Sequence, residues 1–147
     1  MLEHATTRLG VVRIVSVLIT NRIVLNIGLL GLCAAYLQGG IDKLLDFNGA
    51  VAETERLGLN PALLLTVATI FTELTASVLI LSGFYRWLGA LWLAGFTLIA
   101  TFVANRFWEF PLPDRFNIEN SFFEHLGLVG GFMLVAFYDL KNRTDVR

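Results

Sequence analysis

Between Pro61 and Ser82 the chain carries a single charged side chain, Glu73, in a run of 22 residues. A carboxyl group in so apolar a setting costs on the order of several kcal/mol unless it is paired, hydrated or neutral. Its presence points either to interhelical hydrogen bonding or to proton handling, the chemistry a secluded acid can offer. Thr66, Thr69, Glu73 and Ser77 recur at i, i+3, i+7 and i+11, so a helix would place all four on one stripe. Glu124 and His125 open the last apolar stretch, and imidazole is the side chain that titrates near neutral pH. Glu73 and His125 are therefore the candidate catalytic residues. Other chemistries find no support in the sequence. Cys33 is the only cysteine, which excludes an internal disulfide, a CxxC redox pair and a thiolate-ligated cluster. His4 and His125 lie too far apart to build a metal site by themselves. The chain has neither a glycine-rich nucleotide loop nor paired histidines for haem.

The elements that must hold these groups follow from how charge punctuates the chain. Hydrophobic residues make up 56% and charged residues 16%, too little polar surface to cover a water-facing particle. A net charge of −1 offers no field for nucleic acid. Arg22 and Asp42 bracket 19 uncharged residues, and so do Arg86 and Arg106. Pro61–Ser82 and roughly 120–138 complete a set of four apolar stretches. A helix crossing about 30 Å of hydrocarbon needs about 20 residues, so the expected fold is an all-α membrane four-helix bundle. A soluble bundle would need a broad polar face on some helix, and none has one. With four spans the N-terminus, the "GFYR" loop and the C-terminal tail share a side that carries seven Lys and Arg, against four opposite. The positive-inside rule then puts both termini in the cytoplasm. Tyr85, Trp87 and Tyr138 fall at the inner interface and Trp108 at the outer one. Residues 1–21 resemble no cleavable signal, because Arg13 interrupts the apolar run. They are expected to form an amphipathic segment in the inner interface or a cytoplasmic extension of the first span. Residues 22–138 form the transmembrane domain and 139–147 a cytoplasmic tail. Gly28, Gly31 and Ala35, Ala90 and Ala94, and Gly127 and Gly131 are the expected points of close helix approach.

Span midpoints near Leu32, Thr72, Phe96 and Val129 give each polar group a depth at 1.5 Å rise per residue. Glu73 falls near the bilayer centre, Tyr36 and His125 about 6 Å outward, Thr101 and Glu124 about 7–8 Å, and Gln38 about 9 Å. Lys43, Asn105 and Arg106 stand at the outer boundary with Asp42. Glu124 shares a helix face with Gly127 and Gly131, and is expected to point at a neighbouring helix. Polar groups from all four helices thus gather in the outer half, under an aromatic loop, "NRFWEFPLPDRFNIEN", that includes Trp108. Such a pocket suits a quinone head group or another amphiphile. With no cation at its depth, Glu73 is expected as a hydrogen-bonded neutral acid, with His125 the nearest basic group.

The stretches "GGIDKLLDF", "LGLNP", "TELTASVLILSGFYR", "ATFVANRFWEF" and "FFEHLGLVGGFMLVA", in this order, resemble the DoxX family of four-helix bacterial membrane proteins. The resemblance runs roughly from residue 21 to 138. It implies a bacterial inner-membrane protein and a role as a subunit of a quinol oxidoreductase. It also places Lys43, Glu73, Arg86, Asn105, Arg106, Trp108, Glu124 and His125 on the family's polar landmarks. The chain departs from many members in having Asn105 where they have histidine, and Glu124-His125 where they have Lys-Asn. The expected ligand-binding residues are Tyr36, Gln38, Lys43, Thr101, Asn105, Arg106, Trp108 and Glu124, with no metal.

Two functions of different class fit. The chain is a redox subunit that binds quinone and takes electrons from a partner, since it encodes no cofactor site of its own. Alternatively it is a non-catalytic subunit that stabilises a larger membrane complex. The expected partners are the lipid bilayer and such a complex, and not nucleic acid.

Overall fold

The computed structural model describes residues 12–13 and 15–145, and nearly all of that chain is helical. From Arg22 onward five helices succeed one another: α1 (Arg22–Leu45), α2 (Phe47–Arg56), α3 (Ala62–Ser82), α4 (Arg86–Ala104) and α5 (Asp114–Asp145). A single 3-10 turn, Phe107–Glu109, lies between α4 and α5. Four of the five helices, α2 being the exception, are long and apolar enough to cross a membrane. Only 17% to 33% of each span is buried inside the bundle, so most of its apolar surface needs hydrocarbon around it. Leu30, Leu63, Phe71, Ile99 and Leu134 are among the large side chains left on the outside. The chain is a multi-pass membrane protein.

Local chemistry sets the ends. The Asn21 side chain accepts from Ile23 N–H at 2.9 Å and starts α1. Asp46 ends α1 and at once caps α2, its carboxylate accepting from Gly49 N–H at 3.0 Å. Gly83, at φ 78°, closes α3 in the left-handed conformation that glycine tolerates. The α5 helix runs beyond the apolar stretch at both ends. Pairs one turn apart support its extensions, Arg115–Glu119 at 3.4 Å and Arg143–Asp139 at 2.9 Å. Of the N-terminal segment, 12–13 and 15–19 are helical with their side chains exposed, while 1–11 and 14 lie outside the described residues.

Consecutive spans pack side by side, and α1 and α5 meet more sparingly. The points of closest approach differ from those expected. A Cβ added at Gly28, Gly31 or Gly127 would meet nothing within 4 Å, whereas one at Gly40 would lie 2.7 Å from Leu74 Cδ2. One at Gly89 would lie 2.7 Å from the Ala76 carbonyl oxygen. Gly40 therefore lets α1 reach α3, and Gly89 lets α4 reach α3. Ala90 and Ala94 are buried as expected, and Gly131 faces Leu32. The core that these contacts close includes Leu29, Cys33, Tyr36, Ile80, Leu93 and Phe132.

The connection between the first two spans contains α2. Its Thr54 hydroxyl meets that of Thr66 on α3 at 2.8 Å, and Thr54 also donates to Ala50 C=O at 3.0 Å. This helix lies against the first turns of α3 and forms one wall of the site described next.

Candidate functional site

The Gly39–Gly40 step brings α1 against Glu73. Lys43, one turn further along α1, donates from Nζ to both Glu73 carboxylate oxygens at 3.1 Å and to Gly39 C=O at 3.3 Å. A Cβ at Gly39 would lie 3.2 Å from Nζ, so the glycine keeps the ammonium's path open. The Glu73 side chain is 9% exposed and that of Lys43 26%. This corrects one expectation: the basic group nearest Glu73 is Lys43 and not His125. The depth scale erred because it centred every helix alike. Glu73 lies level with Gly39, six residues and therefore about 9 Å from the end of α1. It belongs to the end of the bundle that carries α2, within reach of a lysine stem.

Beside this pair a second set of bonds ties three helices together. The Thr97 hydroxyl donates to Leu93 C=O at 2.6 Å, so Tyr36 OH, also 2.6 Å away, is the donor to Thr97 Oγ1. Thr101 donates in the same way to Thr97 C=O at 2.6 Å. His125 Nδ1 lies 3.2 Å from Thr101 Oγ1 and 2.9 Å from Asn105 Nδ2. Thr101 and Asn105 thus hold the ring at Nδ1 from the end of α4. Among the described residues Nε2 has no hydrogen-bond partner.

These groups share a cleft of about 570 Å³. Tyr36, Lys43, Glu73, Thr97 and His125 supply its polar wall, and Thr54, Thr69 and Thr72 add hydroxyls. Leu57 and Leu59, Leu65, Phe96, Val103 and Leu128 make the remainder apolar. Ala68 and Ile99, both on the wall, are exposed, so the cleft opens sideways between α3 and α4. Glu53 of α2 stands at its edge, exposed. Glu53, Thr54 and Leu57 lie outside the residues expected from sequence, because α2 itself was not foreseen. The cap of α2 by Asp46 and Gly49 was the available signal.

The expected site residues divide into three groups. Tyr36, Lys43, Glu73 and His125 line the cleft. Thr101 and Asn105 stand behind it and orient the imidazole. Gln38, Arg106, Trp108 and Glu124 lie apart. Gln38 is exposed and donates to Asp42 at 2.6 Å, one turn along the outside of α1. Arg106 pairs with Glu109 at 3.2 Å on the surface. Trp108 stacks edge-on with Phe107 and Phe122 in an aromatic cluster over the α4–α5 connection, with Arg115 above the Phe107 ring. Glu124 points away from the bundle, since the Gly127 face it shares is itself exposed. The network expected to join His125, Glu124, Gln38 and Tyr36 therefore reaches only Tyr36 and His125, through Thr97 and Thr101.

The fold and cleft define a class: a small multi-pass bundle of antiparallel helices with ionisable groups gathered in one half. The DoxX family profile matches residues 25–106, more than half of the chain, and the chain belongs to the DoxX family. The match covers α1 to α4, including Lys43 and Glu73, and stops short of α5 and His125. No curated protein and no solved structure matches the chain.

Proposed function

We propose that the chain is an integral subunit of a bacterial inner-membrane redox assembly whose cleft receives the head group of a quinone or a similar amphiphile. One observation carries this reading: a laterally open, mostly apolar cleft on which Lys43–Glu73, Tyr36 and His125 converge. Hydrocarbon-soluble ligands enter such a site from the bilayer, and a few placed polar groups orient the head. His125 Nε2, which has no partner among the described residues, is the group suited to meet a ring oxygen. Glu73 and His125 are groups able to pass protons as a partner protein delivers or removes electrons.

The test is purification of the full chain with its native lipids, followed by quantification of co-extracted quinone. The wild type is expected to retain quinone in near-stoichiometric amount. His125→Phe removes one hydrogen bond worth about 1 kcal/mol and should weaken retention roughly fivefold. A large complex purified without any quinone above the membrane background would instead favour a stabilising subunit.

A further inference from the structure

The opposite end of the bundle, where α1 begins and α5 ends, has a groove of about 270 Å³. The tight α3–α4 turn builds its head. Arg86 folds back so that Nε donates to Ile80 C=O at 2.9 Å. The guanidinium lies over Gly83, where an added Cβ would come within 3.2 Å of Nη2. Its Nη groups have no acidic partner among the described residues. Asp139 also lines the groove, with its charge engaged: Oδ2 accepts from Trp87 N–H at 3.3 Å and from Arg143 Nε at 2.9 Å. Arg143 in turn donates to Gly83 C=O at 3.2 Å, closing a brace between the turn and α5. Arg86 is therefore the cation that lines this groove, and no acid among the described residues pairs with it. Tyr138 and Asn142 stand on the same groove with no side-chain hydrogen bond among the described residues. Below them the wall turns wholly apolar, with Leu25 and Leu29 of α1 facing Leu134 and Val135 of α5.

We propose that this groove binds an anionic phospholipid, its phosphodiester on Arg86 between Tyr138 and Asn142 and its chains along Leu25 and Leu134. Arginine matches phosphate oxygens with paired donors, and such charge-assisted bonds are the stronger kind. A free phosphate ion would use the same head contacts but leave the apolar wall unoccupied. The order of the lining residues, cation and polar rim first and hydrocarbon-facing leucines below, is that of a lipid lying along a helix.

The test uses the full chain in a non-ionic detergent, equilibrated with equal amounts of phosphatidylglycerol and phosphatidylcholine and observed by native mass spectrometry. Phosphatidylglycerol should be retained over phosphatidylcholine by on the order of fivefold, because choline's own cation offsets the attraction of Arg86. Arg86→Gln should lower phosphatidylglycerol retention about tenfold, the loss of one charge-assisted pair. Asn142→Leu with Tyr138→Phe, which disturbs no bond seen in the structure, should lower it several-fold and covers the case that Arg86→Gln fails to assemble. Equal retention of the two lipids overturns the proposal, as does retention unchanged by the variants. Displacement by millimolar inorganic phosphate would assign the head contacts to a free anion and overturn the lipid.

Discussion

At the scale of the residue, the central fact is an ion pair with unequal exposure. Glu73 is buried and Lys43 reaches it from a half-exposed position, so the pair stabilises chiefly by sparing the carboxylate an unmatched burial. Lys43→Met should therefore cost about 3 kcal/mol, as removal of one partner from a buried pair does. The double variant Lys43→Met with Glu73→Leu should recover much of that loss, because no charge is left stranded. Thermal unfolding of the purified proteins in one detergent checks the order, and a double variant less stable than Lys43→Met would break the argument. Glu73→Gln separates structure from chemistry. The amide keeps an acceptor for Lys43 and should assemble, whereas quinone-linked turnover in the intact complex should fall if Glu73 passes protons. A Gln variant that assembles and turns over at the wild-type rate removes Glu73 from proton transfer.

At the scale of the element, the four spans were legible because charges bracket them and the hydrocarbon thickness fixes their length. The stripe of Thr66, Glu73 and Ser77 was legible as well, and all three are buried. The helix α2 was not, since it is only ten residues long, polar on balance, and buries only Ala50. Nor was helix register, because α1 ends level with the interior of α3 and α2 fills the step beyond it. The Lys43–Glu73 pair depends on that offset, so no count of residues from span midpoints could find it. Gly89 is the sharpest element-scale test. Its added Cβ would meet the Ala76 carbonyl, part of a helix backbone that cannot rotate aside. Gly89→Val should destabilise by about 1–3 kcal/mol, the usual cost of overpacking, while Gly127→Val should be nearly neutral. Melting temperatures of the two variants give the comparison, and equal losses would show that α3 and α4 do not meet at Gly89.

At the scale of the whole molecule, the two ends of the bundle differ in charge, and this asymmetry determines which way it sits. Arg86 and Arg143 flank the α3–α4 turn at the end where α1 begins and α5 finishes, and Lys141 lies on the same last turns of α5. Together with Arg13 and Arg22, this end holds five of the nine basic residues among those described. The end bearing α2 has Lys43, Arg56, Arg106 and Arg115, and each of these but Arg56 has an acidic partner. Basic residues next to short connections resist translocation, so the end with the termini should stay in the cytoplasm and the cleft should open in the outer half of the membrane. A single-cysteine scan decides it with little background, since Cys33 is fully buried. Ala52 on α2, Glu109 on the 3-10 turn and Asn142 near the end of α5 are all exposed. In intact cells an impermeant maleimide should label Ala52→Cys and Glu109→Cys but spare Asn142→Cys, which should react only after lysis. The reverse pattern would put the cleft in the cytoplasmic half, and any electron-donating partner of the cleft would then have to be sought on that side.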